Sequence, residues 1–255
     1  MSRVQMKTFI VTGASLGIGR ALALSLACRG AGVVLNARNA DTLEEAAEAC
    51  RTHSSHVAVV AGDCSLESTA QHMVAAALDM EASGPVFAGF FHAAGLLAPG
   101  PLVHELEPQA FDAVFAANVR GAYVLVRAAY PALLKRGSGV AVFFGSGAAS
   151  IAQPGIGAYC AAKAAEEHLM RQVAAEVPEI TAFAYQPGIV ETRMQVQART
   201  SEGGGADTLH KVFRPWKEQG QLLTPEEAAE PLADLIDRDP TPHHGQVLRV
   251  DALRD

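Results

Sequence analysis

A tyrosine and a lysine four residues apart are the first pair of side chains in this sequence that could transfer a proton. Tyr159 and Lys163 fall within Ala158–Val177, a stretch whose apolar spacing predicts a helix. Side chains at that spacing lie one turn apart on the same helix face. A phenol, with its ordinary pKa of about 10, is a poor proton shuttle at neutral pH unless a cation stabilises the phenolate. Because the spacing is common, the pair alone is weak evidence of a site.

Two more polar residues stand where they could complete such a site. Ser146 follows the strand-like run Val140–Phe144, and its hydroxyl could hold a substrate oxygen. The alternative is a serine that only serves a turn. Asn118 lies inside the helical stretch Gln109–Lys135, although asparagine is a mediocre helix former. It predicts either a kink that holds a water molecule or a tolerated polar residue.

Glycines recur through Thr12–Gly19, after the strand-like run Thr8–Val11 and before a helical pattern. Such glycines permit a tight turn and close approach of the backbone to a pyrophosphate, and the following helix N-terminus attracts phosphates. The spacing is G-x-x-x-G-x-G rather than the commoner G-x-G-x-x-G, and a simple turn is the alternative. A dinucleotide site is predicted at Gly13, Ser15, Leu16, Gly17, Ile18 and Gly19.

The end of the second strand bears on which dinucleotide binds. NAD sites usually carry an acidic side chain here for the ribose 2′-OH, and Ala37 supplies none. Arg38 offers a guanidinium that can bind a 2′-phosphate bidentately, which favours NADP(H), with Ser15 and Asn36 as lesser contacts. If Asp41 instead pairs with Arg38, the arginine is only a surface residue and NAD stays open.

The third strand ends at Asp63 and Cys64, where an adenine edge would lie. Asp63 could equally cap the following helix. The other cysteines, Cys28, Cys50 and Cys160, form no C-x-x-C pair, so neither a zinc site nor a redox dithiol is predicted. The pair His243-His244 lacks a third ligand, and a loop is the better interpretation, so no metal is expected.

Strand-like and helix-like segments alternate along all 255 residues. The pattern predicts one α/β domain spanning residues 1–255, a Rossmann-type, doubly wound parallel sheet of about seven strands with helices on both faces. Thr224 is a plausible N-cap for a helix at Pro225–Arg238. Residues 193–223 show weak periodicity and predict a substrate lid, with a disordered surface insertion as the alternative.

Composition narrows the classes further. A formal net charge of −7 argues against a nucleic-acid binder. The N-terminal residues lack a signal-peptide pattern, and no apolar run is long enough to cross a membrane. These features predict a cytoplasmic chain that binds neither nucleic acid nor membrane.

Together, Thr12–Gly19, Asn118, Ser146, Tyr159, Lys163 and Pro187–Thr192 resemble the short-chain dehydrogenase/reductase family from about Lys7 to Val250. The resemblance implies a catalytic tetrad. Tyr159 would give its proton to the substrate oxygen, and Ser146 would steady that oxygen. Lys163 would stabilise the phenolate and bind the ribose, while Asn118 would hold a water of the proton relay.

The resemblance also implies further cofactor contacts. The residues concerned are Ala93, Gly95, Pro187, Gly188, Ile189 and Thr192, in addition to Asn118, Tyr159 and Lys163. Where the family usually has N-N-A-G, this chain has His92-Ala93-Ala94-Gly95. We interpret His92 as a strand-end histidine with a satisfied hydrogen bond rather than a catalytic one.

The substrate is the least determined part of the expectation. An apolar cavity under the lid is predicted from Phe144, Ile151, Ile156, Met194, Phe213 and Trp216, although each residue type is more often core. Pro187–Gln195 resembles the sepiapterin reductase and benzil reductase branch, which implies an activated carbonyl. The resemblance also implies a homodimer or homotetramer. An NADP(H)-dependent carbonyl reductase is favoured over an NAD-dependent alcohol dehydrogenase or a non-catalytic NADP-binding sensor or scaffold.

Overall fold

Seven parallel strands form one sheet at the centre of the protein, whose computed structural model describes residues 2–254. The strand order is β3-β2-β1-β4-β5-β6-β7. The predicted single, doubly wound α/β domain is therefore the observed fold. The strands are β1 (Lys7–Thr12), β2 (Gly32–Ala37), β3 (Val57–Ala61), β4 (Val86–His92), β5 (Gly139–Phe144), β6 (Ile180–Gln186) and β7 (Val247–Arg249).

Nine α-helices are assigned within residues 2–254. They are α1 (Gly17–Cys28), α2 (Ala40–Arg51), α3 (Glu67–Asp79), α4 (Pro108–Phe115), α5 (Gly121–Arg136), α6 (Gly157–Glu176), α7 (Arg193–Arg199), α8 (Ala206–Glu218) and α9 (Pro225–Arg238). One apolar core packs α1, α2 and α9 on one face of the sheet, and a second packs α3, α5 and α6 on the other. Strands covered on both faces are mostly apolar, which explains their hydrophobic runs.

The strand order reverses between β1 and β4, so the chain leaves the centre of the sheet in opposite directions. In open parallel sheets of this kind, ligands bind in the crevice at the carboxyl ends of the strands beside that reversal. The glycine-rich loop after β1 and the His92–Gly95 segment after β4 both lie at this edge.

The helix caps are partly visible in the sequence. Thr224 accepts a hydrogen bond from the Glu227 backbone N–H at 3.1 Å, and its own N–H donates to the Glu227 carboxylate at 2.8 Å. This capping box satisfies two backbone donors at the start of α9. The predicted N-cap is therefore confirmed.

Two segments differ from the sequence-based expectation. The single long helix predicted at Gln109–Lys135 is interrupted by a π-helical turn, Ala116–Arg120, between α4 and α5. Residues 193–223 contain α7 and α8 rather than irregular chain. The apolar residues of α8 do recur at helical spacing, but Pro215 inside the helix obscures the pattern.

Among residues 2–254, no helix combines the length and the hydropathy that crossing a bilayer requires.

Candidate active site

The glycine-rich loop packs tightly against the segment that follows β4. Gly13 has φ +66°, and a Cβ on it would lie 2.9 Å from the Ala94 backbone. A Cβ on Gly19 would lie 2.4 Å from the Gly13 carbonyl oxygen. The N-cap of α1, Leu16, makes no side-chain capping bond, so the first backbone N–H groups of the helix stay free for an anion.

Two residues at the end of β2, Asn36 and Arg38, were both predicted to contact the cofactor, but they differ in exposure and in hydrogen bonding. Arg38 is exposed and forms no ion pair within residues 2–254, and Asp41 does not pair with it. Asn36 is only 1% exposed, and its amide donates to the carbonyls of Val60 at 2.8 Å and Gly62 at 3.2 Å. Both N–H groups of that amide are thus used by carbonyls in β3 and just after it, and the role of Asn36 as a lesser cofactor contact stays a prediction.

Asp63 does not cap α3. Its carboxylate accepts from the Ser65 backbone N–H at 2.8 Å, whereas the N-cap of α3 is Leu66. The aspartate therefore closes a turn after β3 and remains exposed at the sheet edge. The thiol of the neighbouring Cys64 is buried, and that burial raises its pKa to about 12.

Asn118 lies in the π-helical turn, an interruption of the helix that fits the predicted kink better than a polar residue tolerated in a regular helix. Its amide donates to the carbonyls of Leu96 at 2.9 Å and Val114 at 2.8 Å. Its Oδ1 is buried and has no hydrogen-bond partner among residues 2–254. A Cβ on Gly95 would lie 2.8 Å from this oxygen, so the glycine keeps the space beside it open.

Ser146 begins a short 3₁₀ turn, Gly147–Ser150, after β5. Its Oγ accepts from the Ala148 backbone N–H at 3.2 Å, and the serine also lines a cavity. The hydroxyl proton remains available for a substrate oxygen. The turn role is therefore observed, and it leaves the predicted substrate role open to the same hydroxyl.

Tyr159 and Lys163 share a face of α6, with the lysine Nζ 5.7 Å from the centre of the phenol ring. Lys163 is 4% exposed and donates to the Phe144 carbonyl and to Glu166 Oε2, each at 2.7 Å. Burial lowers the pKa of Lys163, but the charge of Glu166 and the neighbouring Tyr159 raise it by more, so the net shift is upward. The ammonium therefore stays charged at neutral pH.

A cavity of about 440 Å³ brings Ser146 and Tyr159 together with the Pro187–Thr192 segment. Five of the predicted apolar lining residues do line it: Ile151, Ile156, Met194, Phe213 and Trp216. Phe144 does not, which corrects that part of the prediction. Its ring packs edge-on against Tyr185 at 5.7 Å in the core, because side chains alternate between the two faces of a strand. Asn118 and Lys163 lie outside the lining.

Glu166 is the site residue that the sequence analysis missed. Its Oε1 lies 2.9 Å from His92 Nδ1, while Oε2 accepts from Lys163. The interpretation of His92 as a buried strand-end histidine with a satisfied bond is confirmed. A signal for Glu166 was present, since it lies seven residues after Tyr159 on the same face of a helix and is followed there by the buried Met170.

Ion pairs join α7 and α8, the helices of the predicted lid, to the Pro187–Thr192 segment. Glu191 bonds Arg199 of α7 at 2.6 Å and Lys217 of α8 at 2.8 Å. The hydrogen bond from Arg199 is the largest cause of a lowered pKa at Glu191, ahead of the opposing effect of burial. A depressed folded-state pKa means that the pairing is intact above the ordinary carboxylate pKa and is lost as the pH falls through the folded value.

We expect Glu191→Gln to loosen this lid. Each partly exposed pair contributes about 0.2–1 kcal/mol, so limited trypsin cleavage within residues 193–218 should become about two- to tenfold faster near neutral pH. Glu202→Gln is the matched control, because Glu202 lies between α7 and α8, is exposed and forms no ion pair within residues 2–254. Equal cleavage rates in the two variants would show that the Glu191 ion pairs do not hold α7 and α8 in place.

Comparisons with known proteins find relatives that match most of the chain. The family model described as short chain dehydrogenase matches residues 7–203. The 2-(R)-hydroxypropyl-CoM dehydrogenase of Xanthobacter autotrophicus is 34% identical over 98% of this chain and 98% of that protein. The NADPH-dependent pterin aldehyde reductase of Arabidopsis thaliana is 30% identical over 84% of this chain and 86% of that protein. A short chain dehydrogenase/reductase structure from Saccharomyces cerevisiae has a TM-score of 0.85 at 30% identity, covering 97% of this chain and 98% of that one.

The sheet topology, the glycine-rich loop and the cavity beside Ser146 and Tyr159 define a dinucleotide-binding oxidoreductase fold. With the family match over residues 7–203, the chain belongs to the short-chain dehydrogenase family of oxidoreductases.

Proposed function

We propose that this protein is an NADP(H)-dependent carbonyl reductase that interconverts a carbonyl compound and a secondary alcohol. The observation that carries the proposal is the single cavity where Ser146 and Tyr159 meet the Pro187–Thr192 segment, with the charged Lys163 beside the phenol ring. The similarity to the NADPH-dependent pterin aldehyde reductase of Arabidopsis thaliana supports both the cofactor and the reductive direction.

The residues at the sheet edge fit a dinucleotide. Glycines leave room at the loop, where side chains on Gly13 or Gly19 would clash with neighbouring backbone, and the start of α1 offers free N–H groups. We assign the pyrophosphate to Gly13 and Ser15–Gly19, the 2′-phosphate to Arg38, and the adenine to Asp63 and the Cys64 backbone. The ribose and nicotinamide are assigned to Ala93, Gly95, Lys163 and the segment Pro187, Gly188, Ile189 and Thr192.

When bound, NADPH supplies the hydride, and side chains of the protein supply and position the proton. The Ser146 hydroxyl orients the substrate oxygen toward the Tyr159 phenol, which donates the proton. Lys163 uses two of its three N–H groups on Phe144 and Glu166, which leaves one for the ribose. The buried Oδ1 of Asn118 and its π turn support a water molecule bound beside Asn118.

The cavity favours an apolar carbonyl compound. Phe213 and Trp216 lie with ring centres 4.8 Å apart on the lid, and together with Ile151, Ile156 and Met194 they form the apolar part of a lining that also contains polar side chains such as Gln153 and Asp251. A carbonyl bound against the apolar part would have Ser146 and Tyr159 as the polar partners that we assign to it. We also propose a homodimer or homotetramer formed through α5 and α6, since the apolar Tyr123 and Leu134 of α5 are exposed.

The test is NADPH consumption over a panel of ketones, diketones and quinones, run in parallel with NADH. We expect turnover of at least one apolar ketone or diketone with NADPH and slower turnover with NADH. A preference for NADH would favour an NAD-dependent alcohol dehydrogenase. NADPH binding without turnover of any compound, in either direction, would favour a sensor or scaffold.

A further inference from the structure

Three ionisable side chains form a buried cluster behind Tyr159. His92 ends β4, and Lys163 and Glu166 lie on α6; their exposed fractions are 0%, 4% and 1%. The Glu166 carboxylate bridges the other two, with Oε1 2.9 Å from His92 Nδ1 and Oε2 2.7 Å from Lys163 Nζ. A carboxylate held from both sides in this way has one fixed orientation.

The charges of Lys163 and Glu166 balance each other within the cluster. Buried charges are tolerated when they are paired in this way. Since the carboxylate can only accept, His92 carries its proton on Nδ1, and Nε2 is left without a partner among residues 2–254. A Cβ on Gly121 would lie 2.9 Å from Nε2 and 3.1 Å from Cys64 Sγ, so no side chain fits there.

The cluster fixes the position of the Lys163 ammonium relative to Tyr159. Phe144 O and Glu166 Oε2 hold two of its N–H groups, and Nζ lies 5.7 Å from the Tyr159 ring centre. The carboxylate also opposes the positive field that the ammonium exerts on the phenol. Glu166 therefore affects both where the charge sits and how strongly Tyr159 feels it.

We propose that Glu166, oriented by His92, is a positioning residue that keeps Lys163 charged and in place and moderates its effect on Tyr159. The proposal rests on the proposed role of Tyr159 as the proton donor. It assigns to His92, which departs from the family's usual asparagine, a role in the proton chemistry through Glu166 rather than through substrate.

Few other charged groups face the cluster. Tyr159 lies on the same helix, while the next carboxylate, Glu167, pairs with Arg171 at 2.6 Å. From the other elements, the turn after β3 contributes the Cys64 thiol, which burial keeps protonated, and the π turn ends at Arg120, whose guanidinium donates to the Ser65 carbonyl. From β5, the Phe144 carbonyl accepts a hydrogen bond from Lys163.

Glu166→Gln removes the charge while keeping the shape. Without its counter-ion, the buried Lys163 has a lower pKa, and while it stays charged its field on Tyr159 is unopposed. The active state has a protonated phenol and a charged ammonium. Either change lowers the pH at which this state is lost. We expect the basic limb of the kcat profile for carbonyl reduction to move down by about one pH unit or more, with KM for the carbonyl changed less than kcat.

Matched variants separate this effect from a general loss of charge or structure. Glu167→Gln removes a neighbouring carboxylate of α6 and should leave the limb in place. Glu166→Asp, which retains the carboxylate, should return the limb toward that of the unmodified protein. If a thermal unfolding measurement shows that Glu166→Gln is not folded, the same pH profile is measured for His92→Leu. We then expect a smaller shift of the limb in the same direction. A limb that stays in place in the folded variant overturns the proposal.

A second readout needs no turnover and so remains valid if the proposed activity fails. Burial raises the pKa values of Tyr130 and Tyr185, so in a Tyr123→Phe background the tyrosinate absorbance up to about pH 11 reports residue 159. Subtraction of the same titration with Tyr159→Phe confirms the assignment. We expect Glu166→Gln, but not Glu167→Gln, to displace this titration by about one pH unit. Superimposable titrations overturn the proposal even where turnover is found.

Discussion

Replacement of Tyr159 by phenylalanine is expected to abolish turnover while leaving NADPH affinity within about threefold of the unmodified protein. A positioned proton donor contributes about 10²–10⁴-fold to a rate, and in this site it also neutralises the oxyanion that hydride addition creates. The ring itself packs against two apolar clusters, and phenylalanine preserves those contacts. The loss should therefore fall on kcat rather than on folding or cofactor binding.

The measurement pairs steady-state rates with a fluorescence titration of NADPH. Tyr123→Phe is the control, because it makes the same chemical change at an exposed position on α5 outside the cavity. Retained activity of Tyr159→Phe toward any substrate would contradict the mechanism. A large loss of NADPH affinity would instead assign the tyrosine to cofactor binding.

The regular parts of the fold were predictable because local patterns determine them. The apolar runs of β1 to β6 are read directly from the sequence, since a strand covered on both faces is mostly apolar, with buried polar exceptions such as Thr8, Asn36 and Thr181. Glycines at 13, 17 and 19 also reveal their site, because close backbone contact or a positive φ leaves few alternatives. The catalytic side chains were recognised only as a set, since each spacing is common on its own.

The parts that were missed depend on contacts between distant residues. The amide of Asn36 donates to the carbonyls of Val60 and Gly62, and the sequence alone does not show that these carbonyls lie beside it. An apolar residue such as Phe144 could lie in the cavity or in the core. Which of the two it joins depends on the face of the sheet to which its side chain points. The burial of Glu166 was not predictable for the same reason. A buried carboxylate is unexpected until the structure shows His92, 74 residues earlier, beside it.

Arg38 is expected to set the cofactor preference, and Arg38→Asp should weaken NADPH binding by about 10- to 100-fold or more. Charge-assisted hydrogen bonds contribute about 1.5–3 kcal/mol, and an aspartate would add repulsion of the 2′-phosphate. The same carboxylate can accept from the 2′-OH of NADH, so NADH affinity should hold or rise. Because Arg38 is exposed and forms no ion pair within residues 2–254, its replacement leaves no buried charge behind.

Two further variants show which property of Arg38 matters. Arg38→Gln removes the charge without adding the opposite one, so it should lose NADPH affinity to a smaller extent than Arg38→Asp. Arg51→Gln removes an arginine that pairs with Glu44 and Glu48 at the other end of α2, and it should leave both affinities unchanged. Fluorescence titrations with NADPH and NADH measure all of these changes. If the unmodified protein binds NADH more tightly, or if Arg38→Asp keeps the original preference, the 2′-phosphate lies elsewhere and the choice of cofactor does not depend on Arg38.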